Sequence, residues 1–195
     1  MVLKHINEYI KGRTIVYFVR HGDRIHIPNN KNLGLSHPGP GLSALGKKQA
    51  KEVAIKFFRI KDEIDALYSS SMTRAIETAN EISKKIGKKP IIYDELSEVH
   101  KIIGTKKFYH PHYWEQTFRL RKAMKSFDRI LEKNRKKVII IVAHGNIIRS
   151  LLARKLRVPL RKLHIFDQTN CHISKVRFLG KKLDYISYIN SGDVL

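Results

Sequence analysis

Short apolar runs alternate along this chain with stretches whose apolar residues recur at helical spacing. The run Val138 to Ala143 is apolar throughout and predicts a strand that is buried on both faces. In chain order we predict strand Thr14–Val19, helix Ser43–Phe58, strand Ala66–Tyr68, helix Met72–Ile86 ended by Gly87, strand Ile91–Tyr93, helix Glu115–Lys133, strand Val138–Ala143, helix Asn146–Leu156, and a hairpin of His172–Phe178 and Leu183–Ile189 around Gly180. Strands that alternate with helices indicate an α/β fold, a three-layer α/β/α sandwich with a mostly parallel central sheet.

Size and composition fit one folded unit. A length of 195 residues with 42% hydrophobic residues can bury a core, so we expect a single domain over residues 1–195. Cys171 is the one cysteine, which excludes an internal disulfide and fits a reducing compartment. No apolar run approaches the roughly 18 residues of a membrane span, and Lys4, Glu8 and Lys11 interrupt the first segment where a signal peptide would need an apolar core. We therefore expect a cytoplasmic protein without a membrane partner.

The chain is strongly basic. It holds 39 Lys and Arg residues against 17 Asp and Glu residues, a net charge of +22 at pH 7. Such a charge is compatible with nucleic acid, an anionic membrane surface or acidic substrates. The basic residues are spread along the chain, and no stretch forms a basic tail or interleaves with aromatic residues as in an RNA-binding motif. A solvated, lysine-rich surface is the interpretation we favour, and nucleic acid is not the expected partner.

Three predicted strands end next to residues that suit an anion. In open α/β sheets, binding sites lie beyond the carboxyl ends of the strands. An Arg-His-Gly motif at residues 20–22 follows the first strand, and a His-Gly pair at residues 144–145 follows the most buried one. After the second strand come three serines, one of which should cap the next helix. Arg74 lies in the first turn of that helix, where a cation opposes the helix dipole unless an anion is bound. Because arginine binds phosphate through paired hydrogen bonds, the cluster predicts a phosphate site.

These motifs and two further blocks resemble the histidine phosphatase superfamily. The matching blocks are, in order, Arg20-His21-Gly22; Leu42-Ser43 through Gly46 to Gln49-Ala50; Tyr68-Ser69-Ser70 through Arg74-Ala75 to Thr78-Ala79; Leu96-Ser97-Glu98; and Val142-Ala143-His144-Gly145. Five blocks that match in the same order, in a resemblance that covers about residues 14–156, make a chance match very improbable. The resemblance implies the phosphoglycerate mutase-like version of the α/β/α sandwich.

The resemblance also implies a role for each residue of the cluster. His21 would be the nucleophile that forms a phosphohistidine, and Glu98 would donate a proton to the leaving group. The implied catalytic residues are His21, Glu98, Arg20, Arg74 and His144, and the implied substrate-binding residues are Arg20, Arg24, Arg74, His144 and Gly145. The family needs no metal or other cofactor, and we expect none here. This agrees with the residues themselves, since two guanidinium groups and an imidazole can stabilise the charge of a transferring phosphoryl group.

Asp23 and Arg24 depart from the usual family pattern. Many members have Glu followed by Thr or Ser after the Arg-His-Gly motif. The Arg-His-Gly-acid-Arg form is similar to the branch that contains the suppressor-of-T-cell-receptor-signalling tyrosine phosphatases, whose second arginine faces the phosphate pocket. The resemblance therefore places Arg24 at the pocket, the alternative being a surface-exposed arginine. We expect Asp23 to orient neighbouring groups.

Two segments outside the cluster are also candidates for the site. Residues 28–41 are rich in Pro, Gly and Asn and follow the first motif, which is typical of a flexible active-site loop. His110 and His112 could form a metal pair, but no Cys or carboxylate ligands cluster with them in the sequence. We expect them, with Tyr113 and Trp114, to line or cover the pocket entrance, and we expect no metal.

Three functions remain open from sequence. The first is a phosphomonoester phosphatase acting on a phosphorylated small molecule or a phosphoprotein. The second is a phosphoglycerate mutase working on the same site, and the third is a binding protein that keeps the fold without activity. The segment between Glu98 and His144 is short, whereas mutases of similar sequence use a longer insertion that protects the phosphoenzyme from water. The first function is favoured, and a homodimer is compatible with the resemblance.

Overall fold

The computed structural model describes residues 12–27, 37–99 and 112–192. Its strands and longer helices are β1 Arg13–Arg20, α1 Ala44–Phe58, β2 Ala66–Ser70, α2 Thr73–Ile86, β3 Pro90–Tyr93, α3 His112–Lys133, β4 Val138–Ala143, α4 Gly145–Lys155, β5 Ile173–Leu179 and β6 Lys182–Ser191. Every element predicted from sequence is present, and the predicted and observed ends differ by only a few residues.

The six strands form one sheet in the order β3-β2-β4-β1-β5-β6. The first four strands of this order are mutually parallel, whereas β5 runs antiparallel to both β1 and β6. β4 is buried along its whole length, as its apolar run predicts. The prediction of a mostly parallel central sheet is confirmed.

Helices cover both faces of the sheet. On one face α1 and α2 pack through residues such as Phe57 and Ile82, and on the other α3 and α4 pack through Phe127 and Leu151. All four side chains are fully buried. Burial of one such side chain stabilises the fold by about 1.5–3 kcal/mol relative to exposure, so the two cores hold the sheet firmly beneath its carboxyl edge. This is the three-layer α/β/α sandwich that the alternating pattern predicts.

The helices α1 and α2, which cover the same face of the sheet, have different N-caps. The Oγ atom of Ser43 caps α1 by accepting the Gly46 N–H at 3.0 Å. The N-cap of α2 is Met72, which makes no side-chain capping bond, so the prediction that a serine caps this helix is wrong. The reason is that β2 runs on to Ser70, whose hydroxyl accepts the Met72 N–H at 3.2 Å before the helix begins. Gly87, in the left-handed conformation at φ +72°, ends α2 as predicted.

Within the described residues, no helix is both long and apolar enough to span a lipid bilayer.

Candidate active site

The strand register brings the three predicted motifs together. Arg20 is the register partner of Ala143, and the backbone N–H of His21 donates to the Ala143 carbonyl at 3.0 Å. The carboxyl ends of β1 and β4 are therefore adjacent, and the ring centres of His21 and His144 lie 4.9 Å apart. β2 is the other neighbour of β4, so Ser70 and the start of α2 lie at the same edge.

The hydrogen bonds of His21 define its protonation state. Its Nδ1 lies 2.6 Å from the carbonyl oxygen of Gly22, which can only accept, so Nδ1 carries the proton. Its Nε2 lies 3.0 Å from Nε of Arg74, which can only donate. Burial first and the charge of Arg74 second hold the pKa of His21 well below its usual value. His21 is therefore a neutral imidazole whose lone pair, on Nε2, points toward Arg74.

The two arginines of the motifs flank this imidazole. Arg74 is 2% exposed, and burial lowers its pKa to about 10, with the charge of Glu98 opposing the shift. Arg20 donates through Nη1 to the Gln168 carbonyl at 2.5 Å. Its Nε is buried without a hydrogen-bond partner in the described part of the chain. A buried donor left unpaired costs about 1–3 kcal/mol, which an anion bound here would recover.

His144 is oriented by a serine. Its Nε2 lies 2.8 Å from Oγ of Ser70, the same hydroxyl that accepts the Met72 N–H. If the Ser70 hydroxyl donates to Nε2, the imidazole proton is on Nδ1; if Nε2 donates to the hydroxyl, Nδ1 carries the lone pair. That Nδ1 is buried and has no hydrogen-bond partner among the described residues. Burial, followed by the neighbouring His21 and Arg74, holds the pKa of His144 well below its usual value. With the proton on Nδ1, His144 presents a second unpaired donor at the predicted phosphate site.

Glu98 reaches the site from the segment after β3. Its Oε1 accepts the backbone N–H groups of Val99 at 3.1 Å and of Ile147 at 3.2 Å, so the carboxyl lies at the N-terminus of α4. Burial raises the pKa of Glu98, while these N–H bonds and the charge of Arg74 oppose the rise. The net direction is upward, so the carboxyl holds a proton to a higher pH than an ordinary glutamate. That property suits a proton donor.

Side chains distant in sequence hold the loop that carries His21. Asn170 Nδ2 donates to the His21 carbonyl at 2.8 Å, and the Gly22 N–H donates to Oγ1 of Thr78 at 3.1 Å. The Asp23 N–H donates to Oε1 of Gln49 at 2.8 Å. Thr78 and Gln49 lie in blocks that match the family, but the sequence reasoning assigned them no role. Their hydrogen bonds position the backbone around the imidazole.

A close contact between backbones fixes the same loop against α1. A Cβ atom on Gly46 would lie 1.9 Å from the carbonyl oxygen of Asp23, and one on Gly22 would lie 2.5 Å from the Gly46 carbonyl oxygen. No larger residue fits at either position without moving the backbone. Asp23 also accepts a hydrogen bond from the Ser43 hydroxyl at 2.6 Å, in keeping with its predicted orienting role.

The remaining predicted site residues lie around this cluster. Gly145 begins α4 beside Arg20, since a Cβ atom there would lie 3.6 Å from Nε of Arg20. Arg24 is partly exposed, yet its charge is among the causes that lower the pKa of His21 and of Arg74. Arg24 therefore lies close enough to the pocket to act on it electrostatically.

Two of the sequence predictions concern residues that lie wholly or partly outside the described part of the chain. Residues 28–36, most of the predicted loop, lie outside the described residues, as do His110 and the side chains of residues 112–114. In the described part of the chain, no three His, Cys, Asp or Glu side chains are grouped as a metal ion would require.

Comparison with known proteins identifies the family. The histidine phosphatase superfamily (branch 1) matches residues 16–103 and 113–191, and the chain therefore belongs to this superfamily. The predicted family and its phosphoglycerate mutase-like fold are confirmed. The catalytic and binding roles of individual residues stay predictions.

Individual relatives are distant but match over most of their length. "Putative phosphoserine phosphatase 2" of Hydrogenobacter thermophilus is 23% identical over 200 residues, which cover 90% of this chain and 94% of the relative. "Phosphoglycerate mutase-like protein 4" of Arabidopsis thaliana is 28% identical over 196 residues, which cover 86% of this chain and 81% of the relative. The solved structure of a mycobacterial glucosyl-3-phosphoglycerate phosphatase shares the fold, with a TM-score of 0.71 at 16% identity over 92% of this chain and 100% of that one.

Proposed function

We propose that the protein is a metal-independent phosphomonoester phosphatase that acts through a phosphohistidine on Nε2 of His21. The observation that carries the proposal is the neutral His21 imidazole, whose lone pair faces Arg74. The unpaired Nε of Arg20 and the unpaired Nδ1 of His144 lie in the same cluster. A nucleophile, two guanidinium groups and a proton donor are together the parts that phosphoryl transfer needs.

In the first step the phosphoryl oxygens accept hydrogen bonds from Arg20, Arg74 and His144. The Arg74 Nε–H group stops donating its hydrogen bond to the imidazole and donates to a phosphoryl oxygen instead, which frees the lone pair of Nε2. Nε2 of His21 then attacks phosphorus, so that a P–N bond forms as the bond to the leaving oxygen breaks. Glu98 gives its proton to that oxygen, and the alcohol departs.

In the second step a water molecule attacks the phosphohistidine. Glu98, now a carboxylate, accepts a proton from the water as the P–O bond forms. The P–N bond breaks, and its electron pair returns to Nε2 of His21. Inorganic phosphate leaves, and both residues regain their initial protonation states. The guanidinium groups stay charged throughout and supply the stabilisation that a metal ion provides in other phosphatases.

The substrate that we propose is a phosphorylated small molecule, with a phosphoprotein as the alternative. Two of the relatives are named for small phosphomonoesters, phosphoserine and glucosyl-3-phosphoglycerate. We further propose that residues 1–195 form one domain that works in the cytoplasm.

A covalent intermediate is the direct test. The protein is mixed rapidly with a radiolabelled phosphomonoester, and the label on protein is measured after acid and after base treatment. Phosphohistidine is labile in acid and stable in base, so the label should be lost only in acid. His21→Ala should abolish both the label and turnover, whereas the exposed His26→Ala should keep both. Label that survives acid, or that remains on the His21→Ala protein, would contradict the proposal.

The name of the Arabidopsis relative makes mutase activity a second candidate. Given 3-phosphoglycerate with 2,3-bisphosphoglycerate, a phosphatase releases inorganic phosphate or leaves the mixture unchanged. A mutase interconverts the 2- and 3-phosphates without releasing phosphate. We expect no interconversion, because the segment between Glu98 and His144 is short, and a mutase of this family would need a longer one to protect the phosphohistidine from water.

A further inference from the structure

A cavity of about 470 Å³ lies beside the catalytic cluster. Its wall includes Ser97 and Val99, the two residues on either side of Glu98. Ser71, which follows the serine bound to His144, lines it as well, with its hydroxyl 3.2 Å from that of Ser97. The volume lies within the range of small-molecule sites.

The position of Glu98 relates this cavity to the reaction. The proton donor must lie within hydrogen-bond reach of the departing oxygen, so the leaving group of the substrate lies on the Glu98 side of the phosphoryl group. Because the neighbours of Glu98 on both sides line the cavity, the cavity lies on the same side of the cluster as the proposed proton donor.

Charges of both signs line the cavity. Arg119 of α3 lines the cavity, as do Asp94 and Glu95 from the segment after β3. These three side chains form no hydrogen bond or ion pair with one another or with any other residue within 12–27, 37–99 and 112–192. Opposite charges that line one cavity and do not pair with any described residue are candidates to bind a ligand.

Arg119 also acts on the catalytic cluster, since its charge is among the causes that lower the pKa of His144. A ligand group bound to Arg119 is therefore close to the transferring phosphoryl group. Lys122, the other cation of the wall, rests its ammonium group over the Phe118 ring, 4.6 Å from the ring centre. The planar guanidinium of Arg119 is the better partner for a carboxylate, which it can bind through two hydrogen bonds.

Resting on the proposed phosphatase function, we infer that the cavity binds the leaving group of a phosphorylated hydroxy-amino acid. Arg119 binds its carboxylate, Asp94 and Glu95 bind its ammonium group, and the hydroxyls of Ser71 and Ser97 line the path between them. A leaving group with only a carboxylate brings a like charge toward Asp94 and Glu95. A leaving group with only an ammonium group provides no partner for Arg119. A zwitterion provides a partner both for Arg119 and for Asp94 and Glu95.

Four substrates separate these contributions. O-phosphoserine carries both charges, phosphoethanolamine only the ammonium group, 3-phosphoglycerate only the carboxylate, and p-nitrophenyl phosphate neither. Arg119→Ala should lower kcat/KM for O-phosphoserine and 3-phosphoglycerate by about ten- to a hundredfold, the range of a lost charge-assisted hydrogen bond. It should leave phosphoethanolamine and p-nitrophenyl phosphate almost unchanged. The control is Arg121→Ala, an exposed arginine on the same helix, which should change none of the four.

The roles of Asp94 and Glu95 are tested in the same way. The double variant Asp94→Asn with Glu95→Gln should lower kcat/KM for O-phosphoserine and phosphoethanolamine and should not lower it for 3-phosphoglycerate. If Arg119→Ala slows all four substrates alike, or slows none of them, the inference is wrong although the phosphatase proposal stands.

Binding to an inactive protein separates the two proposals. If the wild-type protein hydrolyses none of the four substrates, the phosphatase proposal fails by itself. Calorimetry on the His21→Ala protein then measures O-phosphoserine binding without turnover, with Arg119 present and with Arg119→Ala added. About ten- to a hundredfold weaker binding in the double variant supports the cavity assignment, and equal binding overturns it.

Discussion

The Nε–H of Arg74 donates a hydrogen bond to Nε2 of His21 across 3.0 Å. The group that we propose to stabilise the phosphoryl oxygens therefore also holds the lone pair that we propose to attack phosphorus. Because Nδ1 of the same ring donates to the Gly22 carbonyl, the imidazole is fixed at both nitrogens before substrate binds. In the proposed mechanism, a phosphoryl oxygen replaces the imidazole as the acceptor of the Arg74 Nε–H, so that substrate binding also frees the nucleophile.

Replacement of Arg74 should therefore slow every substrate to a similar degree. Arg74→Ala removes charge stabilisation that does not depend on the leaving group, and we expect kcat to fall by about a hundred- to a thousandfold. Arg74→Lys keeps the charge but loses the planar fork, so part of the loss should remain. Steady-state kinetics on an alkyl and an aryl phosphate measure both variants. An effect confined to one of the two substrates would contradict this role.

The pH dependence of turnover should reflect two groups with opposite requirements. His21 must be neutral, and its pKa lies well below the usual value, so activity persists as the pH falls until His21 takes up a proton. Glu98 must be protonated, and its pKa is raised, so activity declines as the pH rises through that value. We expect a bell-shaped profile of kcat/KM for an alkyl phosphate.

A ratio of two rates identifies the group whose titration causes the decline of activity at high pH. At pH values where both substrates are dianions, dividing the alkyl phosphate rate by the aryl phosphate rate removes the titrations that the two reactions share, such as that of His21. This ratio should fall with rising pH in the wild-type protein and stay level in Glu98→Gln. A ratio that falls equally in both proteins would assign the alkaline limb to another group.

The sequence pattern predicts the elements well, because strands buried on both faces form short continuous apolar runs, whereas helices buried on one face repeat apolar residues about every 3.6 positions. It also predicts the phosphate cluster, since the carboxyl ends of parallel strands converge at one edge. The extent of β2 was not predictable in this way. Ser69 continues the strand by register with Val142 although it is polar, and for that reason the expected serine cap of α2 is absent.

Contacts between distant segments are what the sequence pattern cannot supply. The bond from Asn170 to the His21 carbonyl and the place of Glu98 at the N-terminus of α4 both depend on three-dimensional packing. Arg119 belongs to the polar side of an amphipathic helix, where sequence periodicity alone predicts only contact with solvent. The structure instead places it in the cavity beside the site.

The two active-site histidines should make the fold sensitive to acid. Both are buried, and both have a pKa well below the usual value in the folded protein. Unfolded chains bind a proton at each histidine near pH 6.5. As the pH falls below that point, the unfolded state gains protons that the folded state does not, so the free energy of unfolding decreases by about 1.4 kcal/mol per pH unit for each histidine.

Urea unfolding between pH 7 and pH 5 measures this slope. His144→Asn should reduce the acid sensitivity by the share of one histidine, and His21→Asn should do so independently. His26→Asn, at an exposed position, is the control and should leave the slope unchanged. An unchanged slope in both active-site variants would show that other groups govern the acid response.

The role of Glu98 is tested by the leaving group. Proton donation matters most when the departing oxygen is strongly basic, as in an alkyl phosphate, and matters little for p-nitrophenolate. General acid catalysis contributes about a hundred- to ten-thousandfold. Glu98→Gln should therefore lose most of its rate on alkyl phosphates and much less on p-nitrophenyl phosphate, while the exposed Glu52→Gln should match the wild type on both. If Glu98→Gln slows both substrates equally, the proton donor is another group, and Asp23, adjacent to the nucleophile loop, becomes the next residue to replace.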